Sequence, residues 1–291
     1  MEGLKIIVLA KQVPDTRNVG KDAMKANGTV NRSALSAIFN PEDLKALEQA
    51  LRLKEMVPNS TVTLITMGPF RAANILREAL YRGADRGILI TDKRFAGSDT
   101  LATSYALSLA VKKTGKYDVI LCGRQAIDGD TAQVGPQVAE KLNIPQITYV
   151  EEIVKVDKSK ISLKRRLENG VETLEAPFPL LTTVHGSAPE CRNKNAKLIM
   201  KYKHACTHTE LLHEVEDYIS LHDIHPYLDI TEWNVDDLKA DESWLGLSGS
   251  PTKVQKIENI VFTLKDSVAV SPDKAGIDHL MKELIENHNI G

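Results

Sequence analysis

Short apolar runs of strand length alternate with helical patterns along the first half of this sequence. Each run ends at a polar loop, and between the runs apolar side chains recur at intervals of three and four residues. Strands joined by helices of this length must return in the same direction, so they form a parallel sheet that is covered on both faces. The pattern therefore predicts an α/β fold. The runs are Leu4–Ala10, Thr61–Met67, Arg86–Thr91 and Tyr117–Cys122.

A different pattern begins after about residue 145. Strand-like alternation recurs in three neighbouring segments, and Asn169-Gly170, a pair that favours a tight hairpin turn, separates the last two. This predicts an antiparallel extension of the sheet. Gly246–Pro251 is predicted to be a flexible hinge, and Asp273–His288 a helix with one apolar face. The alternating segments are Gln146–Val154, Lys160–Leu167 and Val171–Leu174, and Phe178–Val184 is predicted to be a further buried strand.

Charge and composition exclude several functions. The 37 basic and 39 acidic residues leave a net charge of −2, so we expect no attraction to nucleic acid or to an anionic membrane. No apolar run reaches membrane-spanning length, and Met1–Lys5 leads into the first strand without a signal-peptide pattern. The three cysteines share no C-x-x-C spacing, as is typical of a reducing compartment. We therefore predict a cytoplasmic protein that binds neither nucleic acid nor membrane.

The loop Gly123–Pro136 is the candidate binding element. It follows the apolar run that ends at Cys122, and apolar residues recur at helical spacing after it. Backbone N–H groups near Thr131–Gly135 should point outward at a helix start, where the helix dipole favours a phosphate. Asp128 and Asp130 would compete with a phosphate through like charge, so they fit better as helix caps or as acceptors for ribose or amide groups. A plain capped turn is the alternative that the loop alone leaves open.

Polar residues at other strand ends should meet this loop at one edge of the sheet, because ligands of open parallel sheets bind outside the carboxyl ends of the strands. Ala10–Asp15 and Thr66–Pro69 lie at such ends. Asn40, expected to cap a helix that begins at Pro41, and the helix start at Ser98–Thr100 are candidates for the same rim. Neither G-x-G-x-x-G nor G-x-x-x-x-G-K-S/T is present, which disfavours a standard dinucleotide fold and a P-loop NTPase.

Five ordered motifs together resemble the small (beta) subunit of electron-transfer flavoproteins. The resemblance extends from residue 4 to about residue 203 and resumes near residue 231. It implies a Rossmann-like domain akin to adenine-nucleotide hydrolases over residues 1–203, and a larger alpha subunit that holds an FAD. Residues 204–230 are then an inserted helix-loop segment, and residues 231–291 a C-terminal arm that docks on the alpha subunit. The motifs are Leu9–Asp15, Asn40–Asp43, Thr66–Pro69, Gly123–Pro136 and Gly249–Lys253.

In that family the beta subunit binds either AMP as a structural ligand or, in electron-bifurcating members, a second FAD that accepts a hydride from NADH. Asp128–Val134 and Ser98–Ser104 are similar to the bifurcating group, so the resemblance implies FAD, with AMP as the alternative occupant. The chemistry then belongs to the flavin, and no catalytic side chain is implied. The implied ligand contacts are Ala10, Asn40, Thr66, Gly68, Gly123, Gln125, Asp128, Thr131, Gln133 and Val134, with Asp99, Thr100 and Thr103 nearer the isoalloxazine.

The resemblance also implies protein partners. These are the alpha subunit, a flavin dehydrogenase that acts on acyl-CoA or another substrate, and ferredoxin or flavodoxin. Members that serve acyl-CoA dehydrogenases carry a protruding Leu where this sequence has Ala196, so the dehydrogenase is expected to differ. A universal-stress-type AMP module would share the fold without the antiparallel extension. An ATP-pyrophosphatase-type ligase would need an S-G-G-x-D-S loop after the first strand, which is absent.

The segment Lys203–Leu228 looks inserted relative to the family. It contains five histidines and Cys206, and His204 and His208 are spaced to share one helix face. The spacing completes no zinc pattern, so we predict a solvated helix-loop and no metal site.

Overall fold

A large, mostly parallel sheet forms the centre of the computed structural model, which describes residues 3–15, 36–157, 159–213, 219–252 and 269–286. Its strands, in sheet order, are β11 (Cys206–Thr207), β12 (Asp229–Trp233), β5 (Arg86–Ile90), β4 (Thr61–Met67), β1 (Lys5–Leu9), β6 (Val119–Gly123), β10 (Leu180–Val184), β7 (Gln146–Val156), β8 (Lys160–Leu167) and β9 (Gly170–Pro177). Neighbours from β11 to β7 are parallel, whereas β7, β8 and β9 are antiparallel. The predicted α/β fold and its antiparallel extension are confirmed. The hairpin turn lies at residues 168–169, one residue earlier than predicted.

Two short strands form a separate antiparallel pair beside the main sheet. They are β2 (Gln12–Pro14) and β3 (Ala37–Phe39). The sequence predicts only a loop around Pro14, but Val13 is buried and Pro14 lies at the strand end, where a missing N–H is tolerated. The pair Asn27-Gly28, which in the sequence favours a small hairpin, lies outside the described residues.

Helices cover both faces of the sheet. They are α1 (Pro41–Met56) and α2 (Ala73–Arg82) on one face, and α3 (Thr100–Lys113) and α4 (Val134–Leu142) on the other. Successive strand residues point to opposite layers, so Val8 packs with α1 and α2 while Ile7 packs with α3 and α4. Both layers are predominantly apolar, as is typical of a parallel sheet, and each large apolar side chain contributes about 1.5–3 kcal/mol on burial. No helix in the described ranges has the length and apolarity needed to cross a lipid bilayer.

The chain after β10 adds one edge to the sheet. It runs through α5 (Ala196–Lys201), β11, α6 (His208–His213), α7 (Ile219–Ile224) and β12, which pairs with β5. The predicted insertion, residues 204–230, therefore contributes strand pairs to the main sheet, and its status as an insertion stays a prediction. Cys206 Sγ lies 3.3 Å from His222 Nε2, but no group of three or more metal-ligating side chains occurs in the described part of the chain.

The chain divides into two compact units, Met1–Gln255 and Lys256–Gly291. The second contains α8 (Lys274–Glu286), close to the predicted span of the last helix. The predicted hinge at Gly246–Pro251 is instead a hydrogen-bonded segment of the first unit, because Ser250 is buried against the start of α3.

A charged contact holds the segment after β10 on α1. Arg192 Nε and the Arg192 backbone N–H donate to Glu48 Oε2 at 2.9 and 3.0 Å, and Arg52 Nε donates to Glu48 Oε1 at 2.9 Å. Glu55, which is exposed, also pairs with Arg192. Burial raises the pKa of Glu48, but these hydrogen bonds outweigh it and hold the pKa at about 2 against an ordinary 4.5.

Replacing Glu48 should reveal this contact as a pH-dependent stability term. A lowered pKa means that the folded protein binds the proton less well than the unfolded chain, so the contribution is complete at neutral pH and is lost as the pH falls toward about 2. Glu48→Gln should lower the free energy of unfolding by about 2 kcal/mol at neutral pH and by less below about pH 4. Urea titrations at both pH values measure it. Glu55→Gln, which alters an exposed partner of the same arginine, should change stability by less than about 0.5 kcal/mol; equal effects of the two variants would contradict the assignment.

Candidate functional site

A cavity of about 380 Å³ opens at the carboxyl ends of β1 and β6. It has two ends. The α4 end is formed by residues 123–126 and 128–135 together with Ala10 and Lys11, and the α3 end by Phe95, residues 97–100, Thr103 and Leu107. The volume falls in the range of small-molecule sites, and the position is the one that open parallel sheets use for ligands.

The α4 end has the backbone geometry of an anion site. Within the part of the chain that the structure describes, no side chain caps the N-terminus of α4, although Val134 and Gly135 line the cavity. The preceding loop places Ala132 in the left-handed region, at φ 53°, and Gln133 in the right-handed region, at φ −103° and ψ −32°. Alternation of these conformations turns successive N–H groups toward one point. Together with the helix dipole, this end therefore favours a phosphate group.

The α3 end has the opposite character. Asp99 Oδ1 accepts hydrogen bonds from the N–H groups of Leu101 and Ala102, both at 3.0 Å, so a carboxylate already occupies the N-terminus of α3. An anionic ligand group is disfavoured here. Thr100 Oγ1 donates to Gln133 Oε1 at 2.8 Å and joins the two ends of the cavity.

An ion pair neutralises one carboxylate of the α4 end. Lys11 Nζ lies 2.7 Å from Asp128 Oδ2 and 2.8 Å from Oδ1. Gln125 Nε2 donates to Asp130 Oδ1 at 2.8 Å. Asp128 therefore opposes a bound phosphate less than its charge alone suggests, because its countercharge lies on the same rim.

Asn40 supports the loop from behind and does not line the cavity. The sequence predicts it as a side-chain cap of α1, but among the described residues its side chain makes no capping bond. Its Nδ2 donates to the Gln125 carbonyl at 2.9 Å, and its Oδ1 accepts from Ile127 N at 3.2 Å. The amide is fully buried and matches one donor and one acceptor of the loop. Asn40 thus holds the backbone of residues 125–127 beside the cavity.

Asp43 lies at the centre of the site, although the sequence marks it only as part of the motif Asn40–Asp43. Its Oδ1 accepts from Gly123 N and its Oδ2 from Lys11 N, both at 2.8 Å, so one carboxylate joins the ends of β6 and β1 beneath the cavity. Burial raises the pKa of Asp43 to about 7, against the backbone hydrogen bonds from Lys11 and Gly123, which lower it. A Cβ on Gly123 would lie 2.6 Å from Asp43 Oδ1, which explains the glycine. In the sequence, the signal for Asp43 is its position in the motif Asn40–Asp43.

The structure gathers most of the predicted contacts around the cavity. Asn40, Thr66 and Gly68 do not line it: Thr66 is fully buried in β4, and Gly68 N donates to the Ile90 carbonyl at 3.0 Å. Lys11 and Asp43, which the sequence alone does not single out, also line the cavity. The predicted residues that line the cavity are Ala10, Asp99, Thr100, Thr103, Gly123, Gln125, Asp128, Thr131, Gln133 and Val134.

Comparison with known proteins decides the family. Residues 27–205 match the electron transfer flavoprotein domain. The chain is 40% identical to the electron transfer flavoprotein subunit beta of Clostridium acetobutylicum, over 99% of this chain and 100% of that protein. The chain belongs to the electron-transfer flavoprotein family, as a beta subunit. This beta subunit is also 41% identical to the acryloyl-CoA reductase electron transfer subunit gamma of Anaerotignum propionicum, over 99% and 100% of the two chains. Its identity to the caffeyl-CoA reductase-Etf complex subunit CarD of Acetobacterium woodii is 40%, over 86% of each chain.

The first turn of α4 lies very close to the sheet in this beta subunit. A Cβ on Gly135 would be 2.8 Å from both Cys122 Sγ and Thr183 Cγ2, so only glycine lets the helix start at this depth. Burial raises the pKa of the Cys122 thiol, which makes it a packing group and not a reactive thiolate. Gly129, in the same loop, has open space where its Cβ would be.

Alanine substitutions at these two glycines should therefore differ. Gly135→Ala should lower the free energy of unfolding by about 1–3 kcal/mol through overpacking, whereas Gly129→Ala should change it by less than about 0.5 kcal/mol. Adding Cys122→Ala and Thr183→Ser to Gly135→Ala removes both colliding atoms and should restore much of the loss. Urea unfolding measures all of these variants. A triple variant no more stable than Gly135→Ala would show that close packing is not the cause.

Proposed function

We propose that this beta subunit holds an FAD in the two-ended cavity, accepts electrons from NADH, and works in an electron-bifurcating heterodimer with an FAD-containing alpha subunit. The observation that carries the proposal is the contrast between the two cavity ends. One suits a phosphate, whereas the other disfavours an anion and carries the apolar side chains of Phe95 and Leu107, which suit an uncharged ring system. When bound, the FAD would supply the redox chemistry, taking a hydride from NADH and sending electrons to the alpha-subunit FAD and to ferredoxin or flavodoxin.

The residues present fit such a group. The loop from Ala132 to Gly135 presents backbone N–H groups to a diphosphate. The side chain of Ala132 is a single methyl group, so it does not block the approach. Lys11 is half-exposed at the rim, and its ion pair with Asp128 reduces the repulsion between that carboxylate and a diphosphate. At the α3 end, Phe95 and Leu107 supply apolar surface for a flavin ring, and Thr103 supplies a hydroxyl.

The chain's task in the reaction is to bind and orient, and to exclude water. Hydride transfer depends on proximity and alignment more than on acid or base help, so the site needs rigid walls. Asp43 and Asn40 supply that rigidity, because each fixes loop backbone through buried hydrogen bonds. No titrating side chain is required at the α3 end.

The names of two relatives indicate the class of enzyme that this subunit serves. An acryloyl-CoA reductase electron transfer subunit and a caffeyl-CoA reductase-Etf complex subunit align with most of this chain. We therefore infer a flavin dehydrogenase or reductase that acts on a CoA thioester, in the cytoplasm; Ala196, in place of the family's protruding Leu, indicates that it differs from the acyl-CoA dehydrogenases that recognise that Leu. AMP as a structural ligand is the second candidate, because the α4 end alone would satisfy it. A universal-stress-type module is disfavoured by the family assignment.

Counting cofactors tests the proposal directly. The heterodimer purified with its alpha subunit should yield two FAD and no AMP on extraction, and mixing it rapidly with NADH should bleach flavin absorbance in the absence of any other acceptor. Gly135→Leu, which blocks the seat of α4, should release one FAD and leave the other. One FAD and one AMP per heterodimer would establish the second candidate instead, and two FAD without bleaching would exclude NADH as the donor.

We also propose that the C-terminal unit docks on the alpha subunit. Within that unit α8 has no buried residue, and its apolar side chains Ile277, Leu280, Met281 and Ile285 are exposed. An apolar helix face of this kind is typical of a surface that packs on a partner.

Deleting residues 256–291 removes this unit and leaves the first unit whole. The truncated chain should no longer co-purify with the alpha subunit, because the apolar face of α8 is lost. Leu280→Ser should weaken the complex at least about tenfold, which corresponds to the loss of one buried leucine. Lys282→Ser, on the same helix, should not. Stoichiometric co-purification of the truncated chain would refute the docking.

A further inference from the structure

The motif Gly249–Lys253 has no role in the function proposed above. In the structure its described residues belong to a strap, Gly246–Thr252, that lies on the loop before α3. Ser250 Oγ accepts from Asp99 N at 2.8 Å and donates to the Gly246 carbonyl at 2.6 Å, and Ser250 is only 3% exposed. Thr252 N donates to Asp99 Oδ2 at 3.0 Å. The strap thus grips Asp99 by its backbone and by its side chain.

The strap fits one position only. Gly246 has a φ of 56°, and a Cβ there would lie 2.5 Å from the Arg94 carbonyl oxygen. A Cβ on Gly249 would overlap the backbone of Trp244. Arg94 in turn pairs with Asp236 and Glu242 at 2.7 Å, which anchors the chain that leads into the strap. The glycines and the ion pairs therefore fix the register at which Ser250 meets Asp99.

Asp99 connects the strap to the cavity. Its Oδ1 caps α3 while its Oδ2 is held by the strap, so the start of α3 and the strap share one carboxylate. Ser98, Thr100 and Thr103 line the α3 end, whereas no residue of the strap lines the cavity. The strap can act on a ligand only through the α3 end. The α4 end, where a nucleoside phosphate would bind, is built from other elements.

We propose that Ser250 is a positioning residue that makes this site selective for a dinucleotide over a mononucleotide. Through Asp99 it holds the α3 end in the shape that receives the flavin half of FAD, while the α4 end binds the adenylate half without its help. This inference rests on the proposed function, in which FAD is the occupant.

The test compares two ligands on two matched variants. Wild-type heterodimer, freed of exchangeable nucleotide, is titrated with FAD and separately with AMP. Ser250→Ala should weaken FAD binding about tenfold, the loss expected when one buried hydrogen-bond partner is removed, and should leave AMP binding within about twofold. Ser248→Ala removes a hydroxyl from an exposed position of the same strap and should alter neither affinity.

Each outcome bears on one of the two claims. Equal loss of FAD and AMP affinity, or no loss of either, would overturn the positioning role. Should Ser250→Ala fail to fold, Thr252→Pro removes the backbone N–H that donates to Asp99 at the exposed end of the strap, and it should produce the same loss for FAD alone. Wild-type protein that binds AMP but no FAD would overturn the proposed function and this inference with it.

Discussion

One carboxylate holds the site together. Asp43 accepts the backbone N–H groups of Lys11 and Gly123, and it thereby ties the ends of the two central strands, β1 and β6, at the point where the cavity opens. A buried acid is costly, and the pKa of about 7 reflects that burial. The two backbone donors would otherwise be unpaired in the interior, where each costs about 1–3 kcal/mol. The loop after β6 and the loop after β1 are connected because both bond to this residue.

The two helix starts at the cavity divide its chemistry. α3 carries its own anion, Asp99, whereas Gln133, the residue before α4, makes no side-chain cap in the described chain. Equal helix dipoles therefore have unequal consequences, since one is neutralised from within and the other is left for a ligand. The Asp99 carboxylate caps α3 and also accepts a hydrogen bond from the strap. The electrostatics of the cavity and its connection to the strap therefore depend on one side chain.

Local signals explain the parts of the fold that the sequence predicts. The parallel sheet follows from short apolar runs separated by helices, and Val8 and Ile7 confirm that both faces are buried. Ten of the predicted contacts line one cavity because strand ends of a parallel sheet share an edge. The sequence predicts a local capping role for Asn40, but its side chain bonds a loop 85 residues away. Gly246–Pro251 has a composition typical of a hinge, yet Ser250 finds a partner 151 residues away.

The sequence by itself determined the layers, the order of the elements, the loop that lines the cavity after β6 and, through its motifs, the family. These depend on periodicity and on residue types within a short window of chain. Only the tertiary structure decided that Asp43 joins two strands, that β12 adds to β5, and that the strap meets Asp99. Each of those contacts links segments that lie far apart in the sequence. From the sequence alone, a polar residue such as Asp43 or Ser250 has hydrogen-bond partners nearby in the chain that look as suitable as the distant one. Burial settles the choice, because a buried donor or acceptor must be paired by whichever group the fold brings to it.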